Sequence, residues 1–264
     1  MELSVAGKSV YAATGGRAPV AGQEAVVFLH GTAGDHTAWA LPARWFAHHE
    51  RNVLAVDLPG CGRSAGPMPA TIEAAAAWVE QLLDAAGLAR AALVGHSLGG
   101  LIALGAAARM PDRVRSLALI GTALPMRVNA EMLALAQAGD HRAIELMNDW
   151  AHGRAAHMGG NAVPGLWLIG GDIRLVERAP DGALADGFAL CNAFGEAEGR
   201  AAAAAVTCET LLLVGQNDLM TPPAAVKSLA GHLRRSQVVV LPGAGHMLMG
   251  ERPDEMLEAL WRVV

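Results

Sequence analysis

An α/β fold with a mostly parallel, doubly wound sheet is predicted for this chain of 264 residues by two features of its sequence. Short, near-continuous apolar runs recur along it, as expected of strands covered on both faces. Amphipathic helical stretches alternate with those runs, the pattern of parallel strands joined by crossover helices. A third observation qualifies the picture. The rhythm breaks between residues 124 and 205, which predicts a helical insertion in an otherwise regular core comprising 1–123 and 206–264.

The elements follow in order. Residues 3–12 read as a short hairpin turning at Ala6-Gly7-Lys8. Ala25–Leu29 (AVVFL) is a buried strand that ends in His30-Gly31, and Asn52–Val56 (NVLAV) is a second, ending in Asp57-Leu58-Pro59-Gly60. Residues 71–86 form a helix capped by Thr71, with Ile72, Val79, Leu82 and Leu83 on one face and Gly87 as its stop. Ala91–Val94 is a third strand, and a helix follows Gly99-Gly100 until Pro111 ends it. Val114–Ile120, Thr210–Val214 and Gln237–Leu241 complete the strands. Helices are expected over 222–232 and 253–263, each with proline in its first turn. Within 124–205 the helical spacing of Met132, Leu133, Leu135, Ile144, Met147 and Trp150, with glycine joints at 159–160 and 170–171, predicts helices and no buried strand.

Composition excludes several function classes. The chain is 53% hydrophobic and 17% charged, enough apolar material for one large core. A net charge of −5 and the lack of a basic patch give no footprint for nucleic acid or an anionic membrane. No run of about 18 apolar residues suggests a membrane span, and the first 16 residues lack a signal-peptide core. Cys61, Cys191 and Cys208 are odd in number, far apart and without metal-site spacing, so reduced, packed thiols are expected. The expectation is a cytoplasmic protein, monomer or homodimer, with no membrane partner.

Chemistry enters at Gly95-x-Ser97-x-Gly99, directly between an apolar strand and an apolar helix. A serine in such a tight strand-to-helix turn is lifted clear of the sheet, and the helix N-terminus points at the place where negative charge develops. A serine hydroxyl needs a base to become nucleophilic. Asp218, in Gly215-Gln216-Asn217-Asp218, and His246, in Gly243-Ala244-Gly245-His246, each sit just past a strand end, on the same sheet edge as Ser97. That edge is where open α/β sheets build their sites. The candidate catalytic residues are therefore Ser97 as nucleophile, His246 as base and Asp218 as the acid that orients the histidine.

Taken together, FLHGTAG at 28–34, DLPGCGRS at 57–64, VGHSLGG at 94–100, VGQNDLMTP at 214–222 and LPGAGHMLMGERP at 241–253 resemble the α/β-hydrolase superfamily along nearly the whole chain. The sequence is similar in particular to small bacterial esterase-like members with a short helical cap. The resemblance implies the chain order Ser, Asp, His for the triad. It also implies an oxyanion hole made of two backbone N–H groups, those of Leu98 and Thr32. A carboxylic-ester hydrolase working through an acyl-enzyme on a small-molecule ester is the expected activity, without metal or cofactor. Serine at the elbow argues against the dehalogenases and epoxide hydrolases of this fold, which carry aspartate there. Lactone, amide and ring-cleavage carbon–carbon hydrolysis stay open, as does a non-catalytic receptor built on the same fold.

Other polar residues have plainer readings. Asp57 is expected to stabilise its turn, and His30 and His96 to pack and hydrogen-bond near the elbow. His48-His49 should end a surface helix. His152 and His157 are five apart, a poor spacing for one metal, and are expected on the surface or lining a cleft. Trp150, Trp167, Met220 and Met247 are candidate pocket residues, as are Met126 and Met249, with ordinary core as the competing reading. The pocket itself is expected to enclose a few hundred Å³.

Overall fold

The computed structural model describes residues 1–160 and 165–264. Its first elements are the antiparallel hairpin strands β1 (Glu2–Val5) and β2 (Lys8–Ala13). β3 (Ala25–Leu29), helix α1 (Ala40–His48), β4 (Asn52–Val56), α2 (Ile72–Ala85), β5 (Ala91–His96), α3 (Leu98–Arg109) and β6 (Val114–Ile120) follow. A stretch of helices comes next: α4 (Ala130–Gln137), α5 (Arg142–Ala151), α6 (Arg154–His157), α7 (Leu168–Glu177), α8 (Ala183–Ala193) and α9 (Glu196–Ala205). The chain closes with β7 (Glu209–Gly215), α10 (Pro223–Ala230), β8 (Ser236–Leu241), α11 (Leu248–Glu251) and α12 (Pro253–Trp261).

The strands form one sheet in the order β1-β2-β4-β3-β5-β6-β7-β8, antiparallel at β1-β2-β4 and parallel from β4 onward. The expected parallel, doubly wound sheet is therefore present. Its central strands are apolar because both faces are covered. One face packs Leu29, Leu93, Leu117 and Val214 against α2, α3 and α10, and the other packs Phe28, Val94, Ile120 and Leu213 against α1 and α12. Thr71 caps α2 by accepting from the Ala74 N–H, and Gly87, at φ +66°, follows its end. Helix α1, of which the sequence reading placed only the end, finishes at His48 with His49 exposed beside it.

No strand occurs between β6 and β7 among the described residues; 161–164 lie outside them. Within this stretch α4 and α5 pack around Met132, Ala136, Ala143 and Phe188 from α8. Burying one such large apolar side chain contributes about 1.5–3 kcal/mol. Helix α9 behaves differently: Ala203 and Val206 join the main core, and the helix packs on α3. Among the described residues, no helix is long and apolar enough to cross a membrane.

Candidate active site

β5 delivers Ser97 to the carboxyl edge of the sheet. Its backbone sits at φ 53°, ψ −118°, a conformation that non-glycine residues rarely adopt and that stores about 1–3 kcal/mol of strain. The Ser97 N–H donates to Ile120 O at 2.9 Å, which pins the turn to β6. The flanking glycines are required by crowding. A Cβ at Gly95 would collide with the Gly99 carbonyl, one at Gly99 with Leu29 O, and one at Gly100 with Thr122 Oγ1.

The loops after β7 and β8 bring the other two candidates together. His246 Nδ1 lies 2.8 Å from Asp218 Oδ2, and both side chains are buried. The carboxylate is itself held from four directions. Its Oδ1 accepts from the Met220 and Thr221 N–H groups, and its Oδ2 accepts from Thr221 Oγ1 as well as from the histidine. Burial alone would raise the Asp218 carboxyl, but the His246 ring and the Thr221 donors outweigh it and hold the group below the usual carboxylate range. His246 Nε2 is buried with no hydrogen-bond partner among the described residues, and His246 and Ser97 line the same cavity. A nitrogen so placed is free to accept a proton. Catalytic hydrogen bonds commonly tighten only once substrate is bound.

The remaining histidines near the elbow are structural. His96 Nε2 donates to His246 O at 3.1 Å, its ring 4.7 Å from that of His246. Burial, helped by the neighbouring His246, lowers its pKa to about 3, so it is neutral and carries no acid–base role near pH 7. His30 Nδ1 donates to Gly31 O and its Nε2 accepts from the Leu58 N–H, joining two loops beneath the site. Asp57 stabilises its turn as expected, accepting from the His36 and Arg63 N–H groups. With Asp35 and His36 it forms the one grouping of metal-type ligand atoms among the described residues, and those atoms are already engaged with one another and with the backbone. The N–H groups of Thr32 and Leu98 have no acceptor among the described residues; at Leu98 this is the ordinary state of a first-turn helix N–H.

Several residues that shape this geometry went unmarked in the sequence. Thr221 does so by the two bonds to Asp218 above, and its Oγ1 also lies 3.3 Å from His246 Nδ1; an aspartate with threonine three residues on, just before Pro222, is an Asx-turn signal that could have found it. Gly121, at φ +54°, leaves room for the histidine, because a Cβ there would lie 2.8 Å from His246 Cε1. The end of α5 also anchors the histidine loop. The His246 N–H donates to Ala151 O at 2.6 Å, and buried Glu251 accepts from both the Gly153 and Gly245 N–H groups. No local signal marks the contacts of Ala151 and Gly153 with this loop, since they join residues about a hundred apart.

The cavity over Ser97 is about 120 Å³, smaller than the few hundred expected. Its walls are largely apolar and include Met126, Met132, Met147, Val176 and Phe188. Trp150, Met220, Met247 and Met249 also line it. Trp167 does not. Its side chain is 71% exposed, and its indole lies along the first turn of α7 where Gly170 provides a flat seat. His152 is also corrected. Expected on the surface or lining a cleft, its side chain is instead wholly buried and paired with Asp172, which lines the cavity.

Comparison with known proteins gives the family and the fold. A family model described as "Alpha/beta hydrolase family" matches residues 26–259. The chain belongs to that family. Among curated relatives, the pimeloyl-[acyl-carrier protein] methyl ester esterase of Chromobacterium violaceum is 35% identical over 251 residues, covering 89% of this chain and 92% of the relative. RutD of Klebsiella pneumoniae, to which carbamate hydrolysis is ascribed, is 29% identical over 243 residues, covering 87% and 86%. Among solved structures, the enol-lactonase from Burkholderia xenovorans LB400 superposes with a TM-score of 0.83 at 23% identity, covering 99% of this chain and 98% of that one. At that identity the likeness speaks to fold, and the fold of this hydrolase is the family's.

Proposed function

We propose that this hydrolase cleaves small carboxylic esters with an apolar acyl part through an acyl-enzyme on Ser97. One observation carries the proposal: a buried histidine, engaged through Nδ1 by an ionised carboxylate, has no partner for Nε2 among the described residues and lines the same cavity as Ser97. His246 takes the Ser97 proton, and the alkoxide attacks the ester carbonyl. The amides of Thr32 and Leu98 donate to the oxyanion. His246 then protonates the leaving alcohol and later activates water to release the acid. An ester is favoured because the 35% identical relative is named as a methyl ester esterase, and the small, apolar cavity suits a short acyl group. Labelling by a fluorophosphonate probe and turnover of p-nitrophenyl butyrate test the reading together. A protein that neither labels nor turns over the ester would overturn it.

In this proposal α4–α8 act as a cap that sets acyl-chain preference. Apolar walls discriminate by about 1–3 kcal/mol per methylene. In a p-nitrophenyl series from acetate to palmitate, the wild type should peak at short chains. Trp150→Ala should move the optimum toward longer chains, with about tenfold gains there. Trp167→Ala should leave the profile unchanged, because that indole faces solvent. A wild-type optimum at palmitate, or a Trp150→Ala profile matching wild type, would overturn this role for the cap.

Gly121→Val should lower turnover by about 10²-fold, since displacing a catalytic ring by about 1 Å has an effect of that size. The new side chain must occupy the space of the His246 ring, at a positive φ that valine resists. The check is kcat for p-nitrophenyl butyrate alongside a thermal melt. A folded variant with wild-type kcat would show that the ring is placed by other contacts.

A further inference from the structure

The cavity wall contains one ion pair that ester cleavage leaves unused. His152 follows α5, and its Nδ1 lies 2.8 Å from Asn148 O while its Nε2 lies 2.8 Å from Asp172 Oδ2. Both ring nitrogens thus face acceptors, an arrangement that the protonated ring satisfies at both. Burial works against that charge, but the Asp172 carboxylate and the Asn148 carbonyl outweigh it and raise the His152 pKa. With the His152 side chain wholly buried, Asp172 is clamped in one position on α7.

The clamp uses only half of the carboxylate. Asp172 Oδ1 has no hydrogen-bond partner among the described residues, the side chain is 25% exposed, and Asp172 lines the cavity that contains Ser97 and His246. Asn148 lines it too; its Nδ2 is committed to Ile144 O, which leaves the amide oxygen as a second acceptor on that wall. Methionines 132 and 147, Leu175 and Val176 share the lining and offer no donor. An acceptor in such surroundings gains from a donor that arrives with the substrate, because leaving it unmet in a desolvated complex costs about 1–3 kcal/mol. Sites built to hydrogen-bond a substrate group reject analogues lacking it far more strongly than apolar walls reject a methylene.

We propose that Asp172, clamped by His152, is a specificity-determining residue that accepts a hydrogen bond from a hydroxyl or N–H group on the part of the substrate held in the cavity. The preferred substrate class is then a short ester bearing a donor group away from the reacting carbonyl. Esters ending in a free carboxylate are disfavoured there by like charge. This inference rests on the reading of the Ser97 cavity as an ester site.

The test compares methyl hexanoate with its 3-hydroxy, 6-hydroxy, 3-methoxy and 6-methoxy derivatives by pH-stat titration. A methoxy oxygen accepts but cannot donate. The wild type should favour the hydroxy over the methoxy ester at one of the two positions by about tenfold or more in kcat/KM. In Asp172→Asn the amide oxygen keeps the bond to His152 and turns an N–H toward the cavity. Hydroxyl and methoxy oxygens satisfy an N–H alike, so the ratio should collapse to near unity. Asp172→Leu, which removes the acceptor altogether, should also lose the preference. Each ratio is taken within one protein, so a general loss of folding or rate cancels. Equal kcat/KM for hydroxy and methoxy esters at both positions in the wild type, or a preference that survives in both variants, overturns the proposal. Failure of the ester reading looks different: methyl hexanoate is not hydrolysed and fluorophosphonate does not label Ser97. The same comparison is then read by calorimetry, from the binding of 3- and 6-substituted hexanamides to wild type and Asp172→Asn, with the same outcomes supporting or overturning the role of Asp172.

Discussion

Ser97→Ala is expected to abolish fluorophosphonate labelling and to lower ester turnover by about 10⁴–10⁶-fold, the scale seen when a triad nucleophile is removed. The hydroxyl is the only group lost. Alanine meets the same steric conditions at φ 53° that serine does, and the Ser97 N–H to Ile120 O bond is made by the main chain. The thermal melt should therefore stay within a few degrees of wild type, which separates loss of chemistry from loss of fold. Some turnover above the uncatalysed rate should persist, because the proposed oxyanion donors, the Thr32 and Leu98 amides, are main-chain groups that the substitution leaves in place. A Ser97→Ala protein working within tenfold of wild type would mean that the nucleophile lies elsewhere.

Asp218→Asn is expected to lose nearly as much, about 10⁴-fold in kcat, as when the orienting carboxylate of other Ser-His-Asp enzymes is made an amide. The structure gives the reason. Oδ1 receives two backbone N–H groups, from Met220 and Thr221, so the oxygen of an asparagine must sit there. Its NH₂ then faces His246 Nδ1, where Oδ2 was. The histidine has to accept at Nδ1 and carry its proton on Nε2, the atom that must take the proton from Ser97. Nitrogen NMR of the ring should show the tautomer switched, and a variant with wild-type kcat would send the search to another carboxylate. Stability should respond to pH in a definite direction. The Asp218 carboxyl is held below its ordinary range, so its ionised form stabilises the fold above the unfolded-state value, and that contribution fades as pH falls through the lowered one. The advantage of wild type over Asp218→Asn in a melt should thus be present near neutrality and shrink on acidification.

Much of this was legible in one dimension because the signals are local. A strand buried on both faces must be apolar along its length, as AVVFL at 25–29 and LLLV at 211–214 are. An elbow that crowds three loops needs glycine at 95 and 99. Proline at 223 and 253 starts helices because a first-turn N–H has no helical partner to lose. Ser97, Asp218 and His246 could be nominated because each closes a strand, and parallel strands share one carboxyl edge. The pocket was harder to read. Trp150 and Trp167 have the same chemistry and both lie in helical surroundings, yet only Trp150 lines the cavity, because Gly170 lets the other ring lie flat on its own helix. His152 carries no mark distinguishing a surface histidine from a buried one paired with a carboxylate, since its partner Asp172 is twenty residues away on another helix.

The sequence by itself determined the parallel sheet, its strand ends and the three residues nominated for the site, all through patterns spanning a few neighbouring positions. Tertiary structure alone decided which side chains face the cavity, how Thr221 and Gly121 hold the histidine, and how Ala151, Gly153 and Glu251 tie the helical segment to the loop of His246. Those contacts join residues far apart in the chain. Their partners are chosen by how whole elements pack, and no short window of sequence carries that information.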